Sequence, residues 1–274
     1  MNEKYGELIS LLKSFNGVVL AFSGGVDSTF LLAAGKRALG DRALAVIGRS
    51  PTYPKRELEA AIDLAERIGA RYKVIDTDEM SRDEFRQNAP SRCFHCKTVL
   101  FTTVKAVAEA EGLEQVIEGT NADDVGDFRP GMEASKKLGI RAPLLEVGLT
   151  KKEIRELSRE LDLPTWDKPA MACLSSRIPY GDEITLTKLG RIEAVENGIR
   201  DLGFQELRVR DHGNVARLEL SRDRIQAAAT PPVRDQIARI AKVAGYKYIC
   251  LDLEGYRTGA LNEVLPDSVK GQKE

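Results

Sequence analysis

Apolar and polar positions along the first half of the chain switch repeatedly between two periods. Short runs that are apolar or nearly so fall at residues 18–22, 43–47, 71–75 and 115–119. Stretches with helical spacing fall at residues 2–14, 29–39, 55–68, 97–111 and 151–161. Strands with so little polar alternation are what a sheet covered on both faces requires. The alternation of strands and helices predicts an α/β fold, a doubly wound parallel sheet. Ligands of such a sheet bind beyond the carboxyl ends of its strands.

After residue 163 the pattern changes. The stretch from Pro164 to Gly181 carries three prolines and one glycine and reads as an ordered connection. A helix over 186–202, strands over 206–210 and 215–220, a helix over 232–244 and a strand over 246–253 follow. That αββαβ order predicts a smaller α+β domain with helices on an antiparallel-containing sheet. The expected organisation is therefore a domain at 1–165, a connection at 166–184, a second domain at 185–265 and a polar tail at 266–274.

The break that ends the first apolar run carries the most chemistry. Residues Ser23-Gly24-Gly25-Val26-Asp27-Ser28 lie between a predicted strand and a predicted helix. Glycines let the backbone turn tightly, and N–H groups at a helix start favour an anion. Ser23 and Ser28 add hydroxyl donors. The loop has no lysine, so it is not the lysine-bearing phosphate loop, and it lacks the three-glycine spacing of a dinucleotide fold. Gly119-Thr120-Asn121-Ala122-Asp123-Asp124 ends the fourth strand, with Asp127, Arg129, Pro130 and Gly131 beyond it. Its carboxylates either cap a loop or hold Mg²⁺ against phosphate oxygens, and both readings stay open. Gly48 ends the second strand, where an adenine or ribose would have room.

Composition narrows the partners. The 274 residues are 42% hydrophobic and 30% charged, as in a globular protein. A net charge of −1, from 41 basic and 42 acidic side chains, creates no global field that selects a nucleic acid. No apolar run is long enough for a membrane span, and the first residues show no signal-peptide pattern, so the cytoplasm is the expected compartment.

The four cysteines then point to metal or sulfur chemistry rather than to a disulfide framework. Cys93 and Cys96 form a C-x-x-C just ahead of a predicted helix. They are either a pair of half-buried thiols or half of a four-ligand site. His95 reads either as a substitute ligand or, the favoured reading, as an exposed loop residue. Cys173 lies in the connection, where Lys168 and Arg177 would favour its thiolate. Cys250 falls inside a predicted strand and reads as a small core residue. On the next hairpin, alternation sets Arg208 and Arg210 opposite Leu207 and Val209, and Arg217 and Glu219 opposite Ala216 and Leu218. This charged face is either merely solvated or a fork for a phosphate.

The Ser23–Ser28 string resembles the PP-loop of ATP pyrophosphatases. Together with Gly-Thr-Asn-Ala-Asp-Asp, Asp-x-Arg-Pro-Gly and Ala-Cys-Leu-Ser-Ser-Arg-Ile-Pro-Tyr-Gly, it resembles the LarE family. These are ATP-dependent sulfur transferases of nickel-pincer nucleotide synthesis. The resemblance implies cleavage of ATP to AMP and pyrophosphate with Mg²⁺, and adenylation of carboxylates of pyridinium-3,5-biscarboxylic acid mononucleotide before their conversion to thiocarboxylates. It assigns nucleotide contacts to Ser23, Gly24, Gly25, Val26, Asp27, Ser28, Gly48, Gly119, Thr120, Asn121 and Asp124, with Ser23, Asp27 and Ser28 also at the reacting phosphate. Substrate contacts fall to Arg177, Arg208, Arg210 and Glu219, and sulfur delivery to Cys173. Two routes stay open: sacrifice of the Cys173 sulfur, leaving dehydroalanine, or a [4Fe–4S] cluster on Cys93, Cys96 and Cys173 that accepts sulfide from a donor. A homo-oligomer is implied as well. A tRNA-thiolating enzyme and a non-catalytic nucleotide-binding regulator are the alternatives.

Overall fold

Side chains along the first strands divide alternately between two cores, which is how a parallel strand covered on both faces must behave. In the computed structural model, which describes residues 3–125, 130–257 and 259–266, Val18 and Leu20 enter one apolar cluster and Val19 enters another. Ala43, Ala45 and Ile47 join the first cluster, and Leu44 and Val46 the second. The chain forms two units, Met1–Glu79 with Cys93–Met171 and Met80–Arg92 with Ala172–Gln272.

The first unit begins with α1 (Glu3–Lys13), β1 (Val18–Ala21), α2 (Val26–Leu39), β2 (Ala43–Arg49), α3 (Lys55–Ile68) and β3 (Arg71–Asp76). The chain enters the second unit for a short helix, α4 (Asp83–Arg86), and returns at the start of α5 (Arg92–Glu111). It continues through β4 (Gln115–Ile117), α6 (Pro130–Lys137), α7 (Pro143–Glu146) and α8 (Lys151–Glu160). The four strands are all parallel in the order β3-β2-β1-β4. From β1 the chain progresses to β2 and β3 on one side and places β4 on the other. The order therefore reverses between β1 and β4, and a doubly wound sheet opens its ligand crevice at such a point.

The second unit contains α9 (Leu186–Asp201), β5 (Leu207–His212), β6 (Val215–Leu220), α10 (Ile225–Ala229), α11 (Val233–Val243) and β7 (Tyr248–Leu251). Its sheet has the order β5-β6-β7, with an antiparallel pair and then a parallel one. One apolar core joins Val195 and Ile199 of α9, Ile237 and Ala241 of α11, and Leu207, Val209, Ala216, Leu218 and Leu220 of the hairpin.

Several expectations need correction. Helix α2 starts at Val26, not at residue 29, because Gly25 is its extended N-cap and Thr29 N–H already donates to Gly25 O at 2.9 Å. Helix α5 starts at Arg92, whose N–H donates to Ala89 O at 2.9 Å, so Cys93 and Cys96 lie inside the helix and not ahead of it. Pro90 sits just before that start, where a missing N–H costs nothing. Strand β4 stops at Ile117, which leaves Gly119 in the loop beyond it. Helices α4, α6, α7 and α10 were not expected. Cys250 is exposed and not a core residue, since on β7 the partly buried positions are Ile249 and Leu251. Asp127 and Arg129 lie outside the described residues. Among the described residues no helix is long and apolar enough to cross a membrane.

Gly198, in the interior of α9, exists for α11. A Cβ there would meet Ile240 Cγ2 at 2.8 Å. Overpacking of this kind costs about 1–3 kcal/mol, while alanine recovers at most about 1 kcal/mol of helix propensity. Gly198→Ala is therefore expected to lower stability in a urea titration. An unchanged or higher midpoint would show that α9 and α11 are not packed this closely.

Candidate active site

The turn between β1 and α2 is defined by two glycines with different tasks. Gly24 has φ +61°, a conformation that side chains rarely adopt, and a Cβ there would lie 3.0 Å from Ala61 Cβ on α3. Gly25 is the N-cap of α2, with φ −82° and ψ 172°. Val26, Asp27 and Ser28 then occupy the first turn of α2, where N–H groups are not yet consumed by the helix. Ser23 Oγ and Ser28 Oγ lie 3.1 Å apart, and Ser28 Oγ donates to Gly25 O at 3.2 Å. The two hydroxyls expected at the phosphate are thus neighbours across the turn.

The loop after β4 lies against this turn. A Cβ on Gly119 would stand 3.0 Å from Ser28 N and 3.3 Å from the Asp27 carbonyl carbon. Only glycine allows the two loops to come so close. Asn121 and Asp124 cap one another: Asn121 Oδ1 accepts from Asp123 N at 2.9 Å and Asp124 Oδ2 accepts from Asn121 N at 3.0 Å. The loop-capping reading of that pair is the geometry observed.

Lys151, which the sequence pattern did not single out, brings a cation to Asp27. Its Nζ pairs with Asp27 Oδ2, and its backbone N–H donates to Asp123 Oδ2 at 2.7 Å. Thr150 and Glu153 form a capping box that fixes Lys151 as the first residue of α8. That Thr-x-x-Glu spacing was the available signal. Asp27 Oδ1 is buried with no hydrogen-bond partner among the described residues. An orphaned carboxylate oxygen beside a phosphate-binding turn suits a hard cation such as Mg²⁺. At the end of β2, a Cβ on Gly48 would meet Leu100 Cδ1 of α5 at 3.2 Å and Thr77 Cγ2 at 3.5 Å.

Cys93 and Cys96 are half-buried at the start of α5 and, three residues apart, share one face. Next to them Lys97 Nζ pairs with Glu118 Oε2 at 3.0 Å and lies 4.7 Å from the centre of the Phe101 ring. Burial pushes the Glu118 carboxyl up, but Lys97 and hydroxyl donors outweigh it and hold it below its ordinary value. Among the described residues, no three His, Cys, Asp or Glu side chains are grouped as a metal site. Cys93 and Cys96 belong to the first unit and Cys173 to the second.

Cys173 opens a short 3-10 turn, Leu174–Arg177, and the second unit holds that turn from several directions. Arg177 is completely buried, with Nε and Nη2 on the equally buried Glu196 at 2.8 and 3.1 Å. Its Nη1 donates to Ala172 O at 2.6 Å and Cys173 O at 2.9 Å. Arg92 Nη1 donates to Ser175 O at 3.1 Å and also bonds Asn88 Oδ1, while Arg210 Nη1 donates to Ser176 O at 2.7 Å. Asn88, at φ 55°, gives its amide to the carbonyls of Ile178, Pro179 and Asp182. Arg177, expected at the substrate, is thus a brace for the backbone around Cys173. Its charge is directed at Glu196, and that of Lys168 at Glu57 Oε2, 2.8 Å away, so neither cation is held for the thiolate. Glu196, Asn88 and Arg92 had no signal in spacing, because their partners are distant in sequence.

On the charged face of the β5–β6 hairpin, Arg217 is partly exposed and paired with Glu219 and Asp252, and the other three side chains are buried. Arg208, Arg210 and Glu219 are only 5%, 6% and 1% exposed. Arg210 forks onto Glu219 with contacts of 2.9 and 2.7 Å. The Arg208 guanidinium lies 4.9 Å from the centre of the Tyr256 ring and donates to Leu207 O at 2.7 Å. Burial first, and then the charge of Arg177, lowers the Arg208 pKa from its ordinary value. An anion against this guanidinium would reverse both effects.

A glycine-turned loop with paired hydroxyls, on the strand next to the switch point of a doubly wound parallel sheet, defines an ATP-binding enzyme of the PP-loop class. A family model described as NAD synthase matches residues 10–99. Over 263 residues, 96% of this chain and 95% of the relative, the sequence is 35% identical to the pyridinium-3,5-bisthiocarboxylic acid mononucleotide synthase of Lactiplantibacillus plantarum. It is 40% identical to an uncharacterized protein of Synechocystis sp., over 97% of this chain and 99% of that one. An uncharacterized protein of Methanocaldococcus jannaschii is 30% identical over 88% of this chain and 91% of its own. The chain belongs to the LarE family of ATP-dependent sulfur transferases.

Two outcomes follow from this geometry. Gly119→Ala should push the Asp27–Ser28 backbone out of place, reduce pyrophosphate release on the order of 100-fold and, like other overpacking, lower the melting temperature. Wild-type release would show that the two loops need not touch. For Glu196, burial raises the carboxyl pKa, but Arg177, Arg200 and the Val209 N–H outweigh it, leaving a lowered value in the folded state. A lowered carboxylate pKa stabilises the fold above the ordinary value of about 4.5, and that stability is lost as pH falls through the folded value. Glu196→Gln should cost about 3–5 kcal/mol near neutrality, by leaving Arg177 uncompensated, and should flatten the acid limb of melts recorded between about pH 3 and pH 7.

Proposed function

We propose that this protein adenylates the carboxylates of pyridinium-3,5-biscarboxylic acid mononucleotide and converts them to thiocarboxylates, with sulfur delivered at Cys173. A substrate carboxylate oxygen attacks the α-phosphorus of ATP, the bond to the bridging oxygen breaks, and pyrophosphate leaves with that electron pair. The N–H groups that open α2, with Ser23 and Ser28, stabilise the departing charge. Asp27 would hold Mg²⁺ through its orphaned oxygen, and Lys151 would move from Asp27 to the phosphates. A sulfur nucleophile then adds to the acyl carbon and AMP departs.

The observation that carries the reading is the restraint on Cys173. Four side chains, Arg177, Arg92, Arg210 and Asn88, hold carbonyls in and around the turn that carries the thiol. Arg208 and Arg210 provide concentrated positive charge for the phosphate of a mononucleotide, with Glu219 orienting Arg210.

The sulfur itself has two sources to choose from. In the sacrificial route the Cys173 Sγ displaces AMP, and loss of the Cα proton then breaks Cβ–Sγ to leave dehydroalanine and the thiocarboxylate. In the other, Cys93, Cys96 and Cys173 would hold a [4Fe–4S] cluster, whose open iron supplies a site for sulfide from an external donor. The soft, one-faced thiol pair of α5 fits that group, and it favours this second route. The protein is further proposed to act as a homo-oligomer of the cytoplasm on a small-molecule substrate and not on RNA.

Cys173→Ala is expected to abolish thiocarboxylate formation under either route while sparing pyrophosphate release. An anaerobic preparation should contain iron and acid-labile sulfide, and both should be lost in Cys93→Ala. A colourless wild-type protein whose mass falls by one H₂S equivalent on turnover would overturn the cluster and leave the sacrificial route. Failure of the wild-type protein to release pyrophosphate with this substrate would overturn the whole reading.

A further inference from the structure

Two successive carbonyls of the PP-loop are gripped from the same side. Tyr53 donates its hydroxyl to Ser23 O at 2.7 Å, and Lys168 Nζ donates to Gly24 O at 3.1 Å. Both donors belong to one cluster at the start of α3. The Tyr53 hydroxyl is 3.3 Å from Glu57 O, and Lys168 Nζ is 2.8 Å from Glu57 Oε2. Ala61, one turn further along α3, is the residue against which Gly24 packs.

In a trans peptide the carbonyl and the next N–H point in opposite directions. A carbonyl of Ser23 held toward α3 therefore turns the Gly24 N–H away from α3. The carbonyl of Gly24, held the same way, does so for Gly25. Consecutive N–H groups turned to one side around a left-handed residue form an anion-binding concavity. Burial and the Glu57 carboxylate raise the Tyr53 pKa, which keeps the phenol protonated and a donor. Lys168 is itself fixed from behind. Arg155 donates to Lys168 O at 2.9 Å and to Trp166 O at 2.7 Å, and Lys168 N–H donates to Thr165 O at 3.0 Å.

We infer that Tyr53 and Lys168 are positioning residues that preset the two peptide planes of the anion cradle, with the Glu57 carboxylate orienting Lys168. Neither needs to touch the nucleotide. Lys168 also stands five residues before Cys173 in the chain. The segment that ends the first unit ahead of the sulfur is therefore hydrogen-bonded to the loop at Gly24.

The inference rests on the PP-loop as the ATP phosphate site, so the test separates the two. Isothermal titration of the full chain with ATP and Mg²⁺, pyrophosphate and AMP is carried out for wild type, Tyr53→Phe, Lys168→Met and Lys168→Arg. Tyr53→Phe and Lys168→Met should each weaken ATP and pyrophosphate about tenfold, the worth of one hydrogen bond of this kind. AMP, which lacks the departing phosphates, should change little, and Lys168→Arg should recover most of the loss. Melting temperatures near wild type exclude a general loss of structure. Should Lys168→Met fail to fold, Tyr53→Phe decides the matter alone. Wild-type ATP affinity in the folded variants overturns the positioning role only, whereas a wild-type protein that does not bind ATP overturns the assignment of the loop as well.

Discussion

The second unit is organised by one buried charge. A carboxylate as deeply enclosed as Glu196 is tolerable only if it is paired and hydrogen-bonded. It receives two contacts from Arg177, one from Arg200 at 3.0 Å and one from the Val209 N–H at 3.1 Å. Those contacts join α9 to β5 and leave one end of the Arg177 guanidinium unused. That end takes the carbonyls of Ala172 and Cys173. Had Glu196 been apolar, Arg177 would have had no counter-charge and could not have been buried under the turn. The immobility of the Cys173 backbone is therefore a consequence of a side chain that lies in the middle of a distant helix.

In the first unit the comparable constraint is steric. The ends of β1 and β4 must approach closely enough for their loops to act on one ligand, and a β-carbon at Gly119 would prevent it. Parallel strands bring their carboxyl ends to the same edge, and reversal of the strand order keeps crossing connections out of the space between them. Into that edge the first turn of α2 delivers Asp27 and Ser28, and the first turn of α8 delivers Lys151. Both are helix starts, where a backbone with unpaired N–H groups meets an anion most favourably.

The sequence made the parallel sheet and the loop chemistry visible, because both depend on local pattern. Val18 to Phe22 could be read as a buried strand, and Gly24-Gly25 as a turn, without reference to anything else. The starts of α2 and α5 were missed by three and five residues for one reason. Residues with special chemistry were assigned to loops, although a helix begins as soon as its N-cap allows. The hairpin arginines show a different limit. Alternation gave their common face correctly, but whether a charged face is wet or buried depends on what covers it. Here the cover includes the turn at Ser176, a contact of 34 residues' separation. Tyr53, Asn88 and Glu196 could not be read at all, since each acts on backbone atoms, which carry no sequence signature.

The placement of Cys93 and Cys96 inside α5 bears on what the pair can be. On a regular helix, residues three apart have Cβ atoms about 5–6 Å from each other, whereas a disulfide brings its Cβ atoms to about 3.5–4.5 Å. Closing a disulfide there would draw the two Cβ atoms closer than ideal helical spacing, an adjustment confined to the first turns of α5. Two half-buried thiols on one helical face are what the sequence spacing alone provides once α5 begins at Arg92, ahead of both cysteines.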